Sequence, residues 1–291
     1  MLNLQLYEKS EKKVLTILLL AIIMLLQIYY YWSDIPSIMI YGAIFLGFLF
    51  MFWTVNSGQE NKTRNEILAN KNLLVPFIVI FGLNVTYIYI TQYTELYKTV
   101  VIWIYNILSK IGLVVQNDSY IAYGILLLSL FSIYAVGSGL KDFNWGINRK
   151  EIAGVLITTA ARFLPAILFY IFLFKINPIR LPQMDAMSFA VVIIRTFLYP
   201  ALYEEFLYRG MLFSLLKGYN ISCSKINVIQ AVLFGFIHFS YYSSQFGIMS
   251  FAFTGFQIVT GYILGVLYQK TKSLTPCIML HALLDLYFYI S

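Results

Sequence analysis

Apolar runs of bilayer-spanning length recur from one end of this chain to the other, and no other feature of the sequence restricts its folding so severely. They lie near 14–32, 35–55, 73–92, 120–138, 153–174, 186–216, 226–240, 248–268 and 275–290. A helix needs about 20 residues to cross roughly 30 Å of hydrocarbon. Within lipid a segment must satisfy its own backbone hydrogen bonds, so only helices and closed barrels survive there. The short alternating segments of a membrane barrel are absent, which leaves an all-α, polytopic transmembrane bundle of about 8–9 spans. The first run ends in the aromatics Tyr29 to Trp32 rather than a small-residue cleavage site and is read as a span, not a signal peptide. No hydrophilic stretch is long enough for a separate soluble domain. Residues 1–150 are taken as N-terminal transmembrane helices of unknown role and 151–291 as the functional core.

Loop charge sets the expected topology. The segment from Thr99 to Val115 is apolar but interrupted by Asn106, Ser109 and Lys110. Treating it as re-entrant or interfacial gives nine spans with the N-terminus in the cytoplasm. Lys9, Lys12, Lys13, Lys62, Arg64, Lys71, Lys141, Arg149, Lys150, Lys217, Lys225, Lys270 and Lys272 then lie inside, 13 cations against four outside (Lys98, Lys110, Lys175, Arg180). That is the asymmetry of the positive-inside rule, and counting the segment as a span would remove most of it. The net charge of +7 suits loops facing anionic headgroups, so membrane lipid is an expected partner and nucleic acid is not. Cys223 and Cys277 are too few for a disulfide framework and are read as free thiols.

With only 11% of residues charged, the charges inside spans stand out. The stretch LYEEFLYRG places Glu204, Glu205 and Arg209 within one helix. Ionisable groups at bilayer depth must find a partner or water. Glu205 and Arg209, four apart with the acid nearer the N-terminus, are natural mates. Glu204 points about 100 degrees away and stays unclaimed. Pro200, one turn earlier, frees the carbonyl of Thr196 and is expected to bend the helix. The two histidines of the chain, His238 in FGFIH and His281 in HALLD, lie in later spans, and Asp285 shares a helical face with His281. A buried Glu, two His, an Asp and an Arg gathered from several helices could activate a water, with the carboxylate as general base. Each residue taken singly could equally be glue between helices. Gly261 and Gly265 read as a packing face, Gln230 and Gln257 as interhelical hydrogen-bonders, Arg162 and Arg195 as structural pairs, and Lys270 and Lys272 as inside anchors.

The three motifs together resemble those of the CAAX-protease and bacteriocin-processing family, also called CPBP or Abi, of intramembrane proteases. EEFLYRG resembles its EExxxR motif, FGFIH its FxxxH and HALLD its HxxxN/D, in the same order, over roughly 186–291, with 153 as the earliest start. The resemblance implies a peptidase reached from the inner side of the membrane. Glu204 would activate water and His238 help hold it, Glu205 and Arg209 would orient the site, and His281 with Asp285 would face the oxyanion. Asp285 departs from the form with Asn, and an ionised carboxylate cannot donate to an oxyanion; it would have to be protonated or merely position His281. Tyr208 stands where Phe is common in the motif. Members are frequently labelled metalloproteases. No cofactor is favoured here, the compact HExxH arrangement being absent; if zinc is used, Glu204, His238 and His281 are the ligand types suited to it.

The leading expectation is an intramembrane endopeptidase in a bacterial cell membrane, acting on a small membrane-associated peptide or protein such as a bacteriocin, pheromone or prenyl-CAAX-like precursor. The alternatives are a catalytically silent scaffold that binds a membrane-protein partner, a bacteriocin self-immunity protein of the same fold, or a transporter with a proton-relay carboxylate.

Overall fold

A computed structural model of the chain describes residues 17, 19–93, 99, 102–103, 106, 124, 127–129, 131–132, 134–173, 175 and 186–290. Most of the expected segment Thr99 to Val115 and much of the expected span 120–138 lie outside the described residues. Nine helices run through the rest, with no strand among the described residues. In chain order they are α1 (Leu19–Tyr30), α2 (Ile35–Ser57), α3 (Leu74–Tyr93), α4 (Arg149–Leu173), α5 (Ala186–Thr196), α6, α7 (Cys223–Phe246), α8 (Ser250–Thr271) and α9 (Leu274–Ile290). Helix α6 combines Tyr203–Glu205, a π-type stretch Phe206–Leu212 and Phe213–Gly218. By length and apolar composition, four stretches can cross a membrane: Ile35–Ser57, Arg149–Phe172, Cys223–Ser243 and Gly247–Thr271. Leu19–Tyr30, Lys71–Tyr87 and Leu274–Leu286 are apolar but shorter.

Local chemistry fixes the helix ends. Asp34 opens α2 by accepting from the Ser37 amide at 3.3 Å and from its hydroxyl at 2.5 Å. Asn148 and Glu151 start α4 with a reciprocal capping box: the Glu151 amide donates to Asn148 Oδ1 and the Asn148 amide to Glu151 Oε2, each at 2.9 Å. The expected single span 186–216 is two helices. Between them Tyr199 is extended (φ −151°, ψ 126°) just before Pro200, which has no amide to continue the helix and crowds the residue ahead of it.

The core is drawn from both halves of the chain. Phe48 of α2 stacks on Phe256 of α8 with ring centroids 4.8 Å apart. Helices α7 and α8 form a tightly packed hairpin in which glycine is obligatory. A Cβ on Gly265 would lie 1.7 Å from Asn227 Oδ1, and one on Gly235 would lie 2.2 Å from the Ile258 side chain. The GYILG face is therefore the packing surface that its spacing suggests. Large apolar side chains such as Trp53, Phe172, Phe236 and Phe251 point outward, an arrangement that suits lipid as the surrounding solvent.

One end of the bundle gathers the basic residues. A strap, 58–73, crosses it between α2 and α3. Arg64 makes a bidentate pair with Glu151 (2.8 and 2.7 Å) and donates to the Thr271 carbonyl at 2.6 Å. Lys272 binds Glu66 at 2.5 Å, and Lys217 donates to the Ile67 carbonyl at 2.9 Å. Lys270 donates to the last carbonyls of α2, Val55 at 2.9 Å and Asn56, and to Gly58 at 2.7 Å. The two lysines expected to be plain anchors are thus tied into the protein, because three helix ends and the strap converge on them. Segment 139–148 folds into the same end. The Leu274 amide donates to Asn144 O at 2.9 Å, Ser273 Oγ to Gly146 O at 2.6 Å and Thr275 Oγ1 to Trp145 O.

Candidate active site

Helix α6 carries two acids whose fates differ. Glu205 is fully buried and accepts from Arg209 Nη1 at 2.9 Å, the i, i+4 pair expected from their spacing. Arg209 is also fully buried. It donates a second bond to the Gly261 carbonyl of α8 at 2.7 Å, and its guanidinium lies 4.9 Å from the centre of the Phe234 ring. Gln230 of α7 donates to the same carbonyl at 2.9 Å and to Asn227 Oδ1 at 2.7 Å. The cation is held by an acid, a backbone oxygen and an aromatic face, a set that compensates a charge removed from water. The π-type stretch that contains Arg209 widens the helix immediately after the two glutamates, a local distortion often found at functional sites.

Glu204 faces the other way. Its Oε2 lies 4.0 Å from His238 Nε2 of α7 and 3.9 Å from His281 Nε2 of α9, and it has no hydrogen-bond partner among the described residues. His238 is oriented by its other nitrogen: Nδ1 is 2.8 Å from the Phe234 carbonyl, which can only accept, so Nδ1–H donates and Nε2 is turned toward Glu204. Phe234 also packs on His238 (ring centroids 5.0 Å) and edge-on to His281 (5.7 Å).

His281 is held between two carboxylates. Nδ1 is 2.8 Å from Glu205 Oε1 and Nε2 is 3.3 Å from Asp285 Oδ2. Acceptors on both sides suit a ring that carries protons on both nitrogens, or one whose neighbour Asp285 holds the proton. All six residues singled out by the sequence, Glu204, Glu205, Arg209, His238, His281 and Asp285, thus meet in one place. Spacing along α9 anticipates the contact between His281 and Asp285. The contact between His281 and Glu205 is not anticipated, since it joins residues 76 apart.

Sequence reasoning also passed over the surroundings of the centre. The hydroxyls of Tyr203 and Tyr208 are buried and lack hydrogen-bond partners among the described residues. Tyr242 stacks beyond His238 (centroids 6.5 Å), its hydroxyl accepting from Gln257 Nε2 at 2.8 Å. The signal for Tyr242 was its position four residues after His238 on one helix.

The gaps around Glu204 test what the centre can hold. A zinc ion about 2.1 Å from two atoms that are 4 Å apart would see them at about 140 degrees, far from tetrahedral. A water making hydrogen bonds of about 2.8 Å to the same atoms would see them at about 90 degrees, a workable angle. Among the described residues no group of three His, Cys, Asp or Glu is disposed to hold a metal ion. As placed, Glu204, His238 and His281 do not fit zinc.

Comparison with protein families finds a match over residues 186–287 to the family described as Rce1-like: Type II CAAX prenyl endopeptidase Rce1-like. No curated protein and no solved structure matches the chain. The matched stretch begins with α5, ends within α9, and contains all six residues of the centre.

Proposed function

Because residues 186–287 match the family described as type II CAAX prenyl endopeptidase Rce1-like, we propose that the chain is an intramembrane endopeptidase in which Glu204 is the general base. The observation that carries this reading is a single atom. Glu204 Oε2 is buried and has no hydrogen-bond partner among the described residues, and it stands at water-bridging distance from two imidazole nitrogens. A carboxylate placed there without a partner weakens the fold, so its presence argues for a ligand that arrives with the reaction.

In this reading a water lies between Glu204 Oε2 and His238 Nε2. As the water oxygen bonds to the scissile carbonyl carbon, Glu204 takes its proton and the carbonyl π electrons move onto oxygen. The resulting oxyanion takes over the hydrogen bond of His281 Nε2–H, which Asp285 Oδ2 faces at 3.3 Å before the reaction, while Glu205 keeps hold of the ring through Nδ1. Asp285 acts here by positioning His281, which removes the difficulty of an aspartate at a place where asparagine could donate directly. Collapse of the tetrahedral intermediate breaks the C–N bond, and Glu204 returns its proton to the departing amine. Glu205, Arg209, Gln230 and the Gly261 carbonyl form the rigid wall behind His281. The substrate class is a small membrane-associated peptide or protein, whether a bacteriocin or pheromone precursor or a prenylated tail.

The test compares wild type with Glu204→Gln, purified in detergent and treated with a chelator, on a pool of short membrane-peptide precursors. Cleavage by the stripped wild type and none by the folded variant is expected. Equal cleavage by both overturns the role of Glu204, and activity that returns only with zinc moves Glu204, His238 and His281 into ligand roles. No cleavage by either favours a silent scaffold.

A further inference from the structure

Access to the centre is uneven, and the unevenness has a direction. Along α7, Phe234 is buried and His238, further from Lys225, is 23% exposed. Along α9, His281 is 5% exposed and Asp285, further from Lys272, is 29% exposed. Both helices agree: the polar centre opens away from the basic end. Carboxylates and imidazoles do not face hydrocarbon without a large penalty, so the opening is aqueous.

The basic end is sealed. Phe143 and Trp145 pack on Phe206, with ring centroids 5.1 and 6.1 Å away, and their segment is pinned by the hydrogen bonds to Ser273, Leu274 and Thr275. The strap and its ion pairs cross the same end. At the opposite end the described turns carry Asp34 and Lys175 in place of a basic cluster. Basic loops stay on the cytoplasmic side of a membrane.

We propose that the centre opens to the extracytoplasmic side, opposite the side suggested by the family resemblance. Its substrate is then a peptide whose scissile bond is presented there: an already exported precursor, or the outer end of a spanning peptide, rather than a tail tethered in the cytoplasm. This rests on the peptidase reading for the word substrate, but the direction of opening does not.

The test is labelling with a membrane-impermeant maleimide in right-side-out and inverted vesicles from expressing cells, in a Cys223→Ser background, the fully buried Cys277 being retained. Tyr242→Cys and, from a second helix, Asp285→Cys report on the opening, and Lys62→Cys on the exposed strap. Both reporters of the opening are expected to react at least tenfold faster in right-side-out vesicles, and Lys62→Cys at least tenfold faster in inverted ones. Reaction of the two opening reporters from the cytoplasmic side, or from neither side, overturns the proposal. Labelling needs no turnover, so the result stands even if no cleavage is ever found. A peptidase that labels from the wrong side would in turn leave the chemistry of Glu204 intact.

Discussion

The molecule has two polar regions, and they are built on opposite terms. At the basic end, donors and acceptors are matched: Arg64 with Glu151 and Thr271, Lys270 with three carbonyls, Lys272 with Glu66. In the centre, buried oxygens are left over among the described residues, including Glu204 Oε2, Glu205 Oε2 and the hydroxyls of Tyr203 and Tyr208. Natural proteins satisfy buried polar groups almost everywhere, and in a low-dielectric interior an unmet group is expensive. The matched region behaves as a clasp. The unmatched one is shaped for something that is not protein, and within it the structural wall (Glu205, Arg209) must be distinguished from the reactive edge (Glu204).

The sharpest way to break this contrast is through the wall. Arg209→Ala leaves Glu205 buried without its cation, and breaking such a pair is expected to destabilise the fold by about 3–5 kcal/mol. Thermal unfolding in detergent should fall steeply, with activity lost alongside. Glu204→Gln should do the reverse: cleavage drops by about 10²–10⁴-fold, the usual contribution of a general base, while the melting temperature holds or rises. A fall in melting temperature as large as that of Arg209→Ala would place Glu204 in the wall. Next in size is Gly265→Ala. Its new methyl meets Asn227 at a distance that no real contact allows, and overpacking of this kind costs about 1–3 kcal/mol. A melting curve that does not move would mean that α7 and α8 can part without loss.

The smallest effects belong to the exposed edge of the clasp. The hydrogen bond from Lys272, joined by its charge, holds the Glu66 carboxyl below its ordinary 4.5. Glu66 therefore binds its proton less readily in the folded chain; its stabilisation is complete above that value and fades as pH falls through the lower, folded one. The same bond holds Lys272 above its ordinary 10.5, so the contribution of the lysine persists below that value and is lost as pH rises through the higher, folded one. Because Glu66 is largely exposed, salt should screen the pair. Glu66→Gln should lower the melting temperature slightly at neutral pH and low salt, with the difference vanishing at high salt or below the folded value of Glu66. A large, salt-insensitive effect would mean that the strap carries more of the fold than its exposure suggests.

The sequence exposes the centre unusually well. Charges in apolar spans are conspicuous, and helical spacing alone pairs Glu205 with Arg209 and His281 with Asp285. The helical class, the bend at Pro200 and the glycine-mediated packing of α7 on α8 follow from equally local rules. What escapes is whatever joins distant parts of the chain. Lys270 reads as an anchor because its acceptors, the carbonyls of Val55 and Asn56, are more than two hundred residues away. Nothing near Trp145 announces that it will stack on Phe206. Glu205 looks fully accounted for by Arg209, so its bond to His281 could not be foreseen. Apolar length separates helix from loop but does not say which helices cross the membrane; among the described residues four are long and apolar enough to do so.

The strap also has a consequence for the order in which the molecule is made. Arg64 and its acceptor Thr271 are 207 residues apart. At roughly 5–20 residues per second of synthesis, about 10–40 s separate the emergence of the two. During that interval Arg64 lacks its Thr271 acceptor, although Glu151, 87 residues on, becomes available to it earlier. Glu151 can pin the strap early, but the clasp closes in full only once α8 has been inserted and Thr271 and Lys272 have emerged, so its last contacts wait on the far half of the chain.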